Sequence, residues 1–214
     1  MLLLVVAIMG FEIIIISPPD QEESEKGVLL DLFKSGLNTF HLRKPHWPSD
    51  ALEAYIHSIP EIYHARLVIH SHYALAAKYK LKGIHLTESS KKDQAAIAQL
   101  KSWQGLRLSA SFHSLEELNR HRRKYAYVWL SPIFDSISKA DYKSRFDLKM
   151  IEQRLQLWHT RKSYVPQVVA LGGINADNIG QIQQTGFAGA ALLGSIWQSQ
   201  NPVQEWLKLQ SKVS

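Results

Sequence analysis

The chain has 214 residues, 45% hydrophobic and 21% charged, with no cysteine and a formal net charge of +6. It is too apolar for a disordered tail and too charged for a membrane bundle. The absence of cysteine excludes a disulfide framework, a zinc–thiolate centre and a thiol nucleophile.

The length suits one globular domain, and no Pro/Gly/Ser-rich linker or low-complexity run divides it. The basic balance (pI about 9.4) is compatible with nucleic acid, an anionic surface or phosphorylated substrates. The densest basic cluster, Arg120 to Lys124, falls at an expected helix end, where the dipole favours cations. No recognition motif accompanies the charge, so nucleic acid is not an expected partner.

Met1 to Ile16 is nearly all apolar, Glu12 excepted. It lacks the basic start and small-residue cleavage site of a signal peptide, and it is shorter than the ~20 residues that span a bilayer. No membrane partner is expected, and the missing cysteines fit a reducing, cytoplasmic compartment. Residues 1–10 read as an apolar lead-in, or as an overextended start with Met9 as initiator. The folded unit is expected over residues 11–214.

A strand and a helix then alternate to the end of the chain. Phe11 to Ser17 is a continuous β-branched run, the pattern of a buried parallel strand. A helix from Glu22 to Lys34 follows, stopped near Gly36. Asn38 to Arg43 is the second strand, and Ser49 caps the next helix. Arg66 to His70 is the third, followed by an Ala-rich helix from about Tyr73. Gly83 to Leu86 is the fourth, and Asp93 to Lys101 lies in the next helix.

Arg107 to Ser111 is the fifth strand, and Ser114 with Glu117 has capping-box spacing. Tyr125 to Ser131 is the sixth, followed by a long polar loop and a helix around Leu148 to Trp158. Gln167 to Leu171 is the seventh, and Asn175 caps a helix ending at Gly186. Gly189 to Leu193 is the eighth, and Asn201-Pro202 opens the last helix. Eight such units in about 200 residues predict a single (β/α)8 TIM barrel. The alternative is a doubly wound open sheet, but the first turn is Ser17-Pro-Pro-Asp20 rather than Gly-rich.

In such a barrel the chemistry gathers at the C-terminal ends of the strands. Those ends carry Arg43 and Lys44, then His70, Ser71 and His72, then Thr87 and Glu88, then Ser111 and His113. Ser136, Ser138 and Lys139 follow strand six. Gly172-Gly173 follows strand seven, and Gly194-Ser195 follows strand eight. A Gly-Gly and a Gly-Ser pair after consecutive strands predict phosphate binding, because glycine lets backbone N–H groups approach oxygens. Arg43, Lys44 and Lys139 are expected to add positive charge to the same mouth. His85, inside its strand, reads as a packed residue. The ten histidines show no HExxH-type spacing, so a zinc site is not expected.

Six segments, in order, resemble one known family. They are HLR at 41–43, GIHL at 83–86, SASFH at 109–113, SPIFDSISK at 131–139, ALGGIN at 170–175 and GFAGAALLGSI at 186–196. The family is the thiamine phosphate synthase/TenI superfamily, and the match runs from about Ile13 to Ile196. The resemblance implies a TIM barrel in thiamine biosynthesis. A synthase of this kind joins hydroxymethylpyrimidine pyrophosphate to thiazole phosphate, giving thiamine phosphate and pyrophosphate. The pyrophosphate leaves first, and the thiazole nitrogen attacks the pyrimidine cation.

Carried over residue by residue, Arg43 and Lys139 are the implied catalytic groups. The implied pyrimidine pyrophosphate side comprises His41, Arg43, Lys44, His70, Ser111 and Lys139. The implied thiazole phosphate side comprises Ser136, Ile137, Ser138, Gly173, Leu193 and Gly194. The resemblance also implies Mg2+, but an Asn-Asp pair expected after strand three reads His70-Ser71, and a second Asp reads Ser90. A lysine expected two places after Arg43 falls on Pro45. The TenI-like branch catalyses a metal-free thiazole tautomerisation, yet its histidine aligns with Pro132. A synthase-like transferase is therefore the leading expectation. A tautomerase and a non-catalytic thiazole or thiamine phosphate binder are the alternatives, and homo-oligomer formation stays open.

Overall fold

A computed structural model describes residues 10–20, 23–100, 105–135, 146–160 and 164–213. Eight strands form a closed barrel in sequence order. They are β1 (Glu12–Ile16), β2 (Phe40–Leu42), β3 (Leu67–Ile69), β4 (Gly83–Leu86), β5 (Arg107–Phe112), β6 (Tyr127–Leu130), β7 (Gln167–Leu171) and β8 (Gly189–Leu192). Every pairing is parallel, and β8 returns to β1 with Ala191 opposite Ile14. The expected (β/α)8 barrel is the observed one. Closure leaves no open sheet edge, which removes the doubly wound alternative.

The helices are α1 (Glu25–Lys34), α2 (Ser49–His57), α3 (Ala74–Lys78), α4 (Gln94–Gln99), α5 (Leu115–Arg120), α6 (Leu148–His159), α7 (Ile179–Gln184), α8 (Gly194–Trp197) and α9 (Pro202–Ser211). A 3-10 turn over Glu61–Arg66, absent from the sequence reading, leads into β3. Among the described residues no helix is long and apolar enough to cross a membrane.

Alternation along the strands builds two cores. Ile13 and Ile15 of β1, Phe40 and Leu42 of β2, and Val128 and Leu130 of β6 face the helices. Ile14, Ile16, Tyr127, Trp129, Val169 and Ala191 fill the barrel interior. His41 packs against Trp129 with ring centroids 4.5 Å apart, and His85 does so at 4.0 Å, so both imidazoles belong to that interior. The inner core is thus apolar along β1, β7 and β8, while His41 of β2 and His85 of β4 bring polar rings against Trp129 of β6.

Two helix starts differ from the sequence reading. Ser49 is the first residue of α2, and Pro48 holds the cap position without a side-chain bond. Asn178, not Asn175, holds the cap position of α7. Its Nδ2 donates to the Gly173 carbonyl at 2.9 Å, and its Oδ1 accepts from Asn175 N at 2.9 Å, so it braces the preceding turn. Ser114 and Asn201 cap as expected, accepting from Glu117 N at 3.0 Å and Gln204 N at 3.1 Å.

Candidate functional site

A cavity of about 730 Å3 opens at the C-terminal mouth of the barrel. Its rim on one side is Arg43, Thr87, Glu88 and Lys92. Its rim on the other is Gly172, Gly173, Gly194 and Ser195. His70, Ser111 and Trp129 lie between them. The strand ends of β2 to β5 therefore face those of β7 and β8 across one space.

Arg43 follows β2 and is fixed through its backbone. Ser17, just after β1, accepts from Arg43 N at 2.8 Å and donates to Arg43 O at 3.1 Å. The guanidinium borders the cavity and has no partner among the described residues. Lys44 goes elsewhere. Its ammonium is buried, 2.5 Å from Glu25 Oε2, and also donates to the carbonyls of Pro18 and Asp20. Tyr55 donates to the other Glu25 oxygen at 2.9 Å. The structure thus does not bring Lys44 to the mouth: alternation turns Arg43 and Lys44 in opposite directions, and the buried Glu25 needs a counter-charge.

The glycine turn after β7 is required by crowding. Gly173 has φ +64°, and a Cβ there would sit 2.3 Å from the Asp135 carbonyl oxygen. Gly172 has φ +105° and lies against Pro132. Ile133 N donates to Leu171 O at 2.9 Å and Phe134 N to Gly172 O at 3.2 Å, which stitches the loop after β6 onto this turn. Leu193 and Gly194 line the cavity beside this turn. Three buried polar atoms of cavity-lining residues, Ser195 Oγ, Trp129 Nε1 and Glu88 Oε2, have no hydrogen-bond partner among the described residues, although Glu88 Oε2 is ion-paired with Lys91. Buried donors are normally paired, so Ser195 Oγ and Trp129 Nε1 are left with unused hydrogen-bonding capacity.

Below the cavity lies a hydrogen-bonded histidine cluster. His41 Nδ1 meets His70 Nε2 at 2.9 Å, and His41 Nε2 meets the Tyr127 hydroxyl at 2.6 Å. His85 bridges Ser109 Oγ at 2.9 Å and Ser111 Oγ at 2.8 Å. Burial, with the nearby Arg43 charge, pushes His70 down to about 3. Burial, followed by the neighbouring imidazoles, also holds His41 and His85 well below the usual histidine range. All three are neutral imidazoles at pH 7. His41, fully buried, supports His70 from beneath rather than bordering the cavity itself.

Glu88 and Lys92 pair at the rim at 3.1 Å, and Lys91 bridges Glu88 at 2.8 Å to Glu117 at 2.6 Å. These ammonium groups hold the Glu88 carboxyl below its ordinary value. His113 borders the cavity and bonds the Ser131 carbonyl through Nδ1 at 3.1 Å. Ser136, Ile137, Ser138 and Lys139 lie outside the described residues. Sequence reasoning passed over Tyr127, Trp129 and Ser109. Their signal was the period-two register of β5 and β6, which puts them on the same face as Ser111.

Fold and site together define a (β/α)8 barrel protein with a polar cavity at its C-terminal mouth, one guanidinium unpaired among the described residues, and glycines at the ends of β7 and β8. A family model described as thiamine monophosphate synthase matches residues 13–196. The chain is 31% identical to a thiamine-phosphate synthase of Proteus mirabilis over 182 residues, 83% of this chain and 81% of the relative. A solved thiamine phosphate pyrophosphorylase from Bacteroides thetaiotaomicron superposes with TM-score 0.77 at 30% identity, covering 94% of this chain and 97% of that one. A Pyrococcus furiosus counterpart has the same TM-score of 0.77 at 17% identity and speaks for the fold alone. The chain belongs to the thiamine monophosphate synthase/TenI family.

Proposed function

We propose that this protein condenses hydroxymethylpyrimidine pyrophosphate with thiazole phosphate to give thiamine phosphate and pyrophosphate. The observation that carries this reading is the pairing, across one cavity, of a guanidinium with no partner among the described residues with the glycines after β7 and β8 and the Ser195 hydroxyl, likewise without a partner among the described residues. Two anions can thus be held at opposite walls with their reactive carbons and nitrogens between them.

The turns at Gly173 and Gly194 offer backbone N–H groups to the thiazole phosphate, and Ser195 Oγ adds a hydroxyl. Arg43 holds the pyrophosphate, with Lys139 assigned to the same leaving group by the resemblance. The pyrimidine carbon–oxygen bond breaks and its electron pair leaves with the pyrophosphate. Arg43 stabilises that growing charge. The pyrimidine cation lies above Trp129 and neutral His70, which add an aromatic face and no competing positive charge. The thiazole nitrogen then donates its lone pair to the cation. Catalysis is positioning plus charge stabilisation.

The residues present do not fit the Mg2+ that the resemblance implies. Ser71 and Ser90 stand where carboxylates are expected, and a hard cation needs carboxylate oxygens. Ser90 Oγ is already engaged by the Tyr73 hydroxyl, Thr87 N and Thr87 Oγ1, each at 2.8 Å. The nearest rim carboxylate, Glu88, is paired with Lys91 and Lys92. No step is assigned to the metal.

The same substitutions favour a second reading, a non-catalytic binder of thiazole or thiamine phosphate. Incubation with both precursors, followed by detection of thiamine phosphate, separates the two. Product formation that falls on the order of 10²-fold or more in Arg43→Ala supports the synthase. Tight thiazole phosphate binding with no product leaves the binder. Proton exchange on a thiazole carboxylate phosphate, with no condensation, points to the tautomerase.

A further inference from the structure

Three imidazole nitrogens, one each from His41, His70 and His85, lie within 4.8 Å of one another beneath the cavity. The spacing resembles a metal centre, but the directions do not. His41 Nδ1 and His70 Nε2 point at each other at 2.9 Å. Both nitrogens of His85 are engaged by Ser109 and Ser111. The His70 and His85 rings are stacked, 4.5 Å apart and 23° from parallel, so their in-plane lone pairs do not converge on one ion. The arrangement is a hydrogen-bond chain.

The chain has a direction. A phenol is a stronger donor than a neutral imidazole N–H, so Tyr127 donates to His41 Nε2 across the 2.6 Å contact. His41 then carries its proton on Nδ1 and donates it to His70 Nε2. That leaves the His70 proton on Nδ1. His70 is 7% exposed, borders the cavity, and its Nδ1 has no partner among the described residues.

We propose that Tyr127 and His41 lock His70 as a neutral Nδ1–H donor, which with Arg43 forms an anion subsite that works without a divalent cation. The ligand class is a phosphate or pyrophosphate oxygen. His70 and Ser71 stand at the positions where the resemblance expects an Asn-Asp pair, so His70 takes the place of the Asn amide and Ser71 that of the metal-binding carboxylate. Tyr127 and His41 are positioning residues, because they act through His70. Assigning the subsite to the leaving pyrophosphate rests on the synthase reading; the tautomer does not.

The test is 15N–1H spectroscopy of the full chain labelled at histidine. His70 is expected as a neutral imidazole at pH 7 with Nδ1 protonated and Nε2 bare. Tyr127→Phe removes the first donor and is expected to mix the tautomers of both His41 and His70 with the fold retained. Tyr127→His, which restores a ring N–H donor, offers a rescue if Tyr127→Phe folds poorly. Inorganic pyrophosphate added with a chelator is expected to shift the His70 Nδ1 resonance and to bind at least 10-fold more weakly to Arg43→Ala. A His70 protonated on Nε2, an imidazolium at pH 7, or stoichiometric Zn2+ capture by the cluster overturns the proposal. So does a His70 signal unmoved by pyrophosphate. If that response is intact but no thiamine phosphate forms, the synthase reading fails and the subsite stands.

Discussion

At the residue scale, the buried ionisable groups separate by role. The inner histidines are neutral because burial holds their pKa values down. Their folded-state values lie below the ordinary 6.5, so the unfolded chain takes up protons first. Stability is complete above about pH 6.5 and is lost as pH falls below it, by about 1.4 kcal/mol per pH unit for each imidazole. For His70 the loss continues towards its folded value of about 3. Urea midpoints between about pH 7.5 and pH 5 are expected to fall steeply, before most carboxylates titrate. Unchanged midpoints across that window rule this out.

Lys44 makes the opposite case. Lys44→Met leaves Glu25 buried without its counter-charge and is expected to cost about 3–5 kcal/mol of stability. Adding Glu25→Leu is expected to recover much of that loss. Pyrophosphate affinity of the folded variant is expected to stay unchanged. A variant of normal stability with weakened pyrophosphate binding would instead put Lys44 in the site. Sequence spacing placed Lys44 at the mouth because it adjoins Arg43; which of two adjacent residues faces inward depends on barrel register, set by pairings far away in the chain.

At the scale of elements, strands were more legible than helix starts. A parallel barrel strand is a short apolar run buried on both faces, so composition suffices to find it. A helix start depends on where the backbone turns as well as on which polar residue is near: Asn175 Oδ1 accepts from Asp177 N at 2.9 Å, while Asn178 holds the cap position with its side chain turned back to Asn175 N and the Gly173 carbonyl rather than onto a helix N–H. The turn it braces is testable. Gly173→Ala meets both a positive φ and a backbone oxygen 2.3 Å from the new Cβ. It is expected to destabilise by more than the 1–3 kcal/mol of φ strain alone and to weaken thiazole phosphate binding about 10-fold or more. Gly36→Ala is the control, with φ +101° but no atom within 4 Å of the new Cβ. It is expected to show the strain cost only, with calorimetric affinity unchanged. Equal effects of the two substitutions on affinity would remove the turn from the phosphate site.

At the scale of the whole molecule, eight repeats of strand and helix made the barrel readable, because closure follows from the count and the right-handed crossovers. The site was half readable. Gly172-Gly173, Gly194-Ser195 and Arg43 stand at strand ends and are visible in the sequence. The floor was readable only in part: the resemblance named His41 and His70, but not Tyr127 or the hydrogen-bonded chain, because the three come from β2, the end of β3 and β6 and meet only after closure. On the proposed synthase reading, that floor and the serines at 71 and 90 together make the condensation independent of carboxylate-held metal. The most direct measurement is the initial rate of thiamine phosphate formation with both precursors, in excess chelator and in saturating Mg2+. The account predicts product in chelator, at a rate within about 10-fold of that with Mg2+, a difference of about 1.4 kcal/mol in the barrier. Product formed only when Mg2+ is present would contradict it.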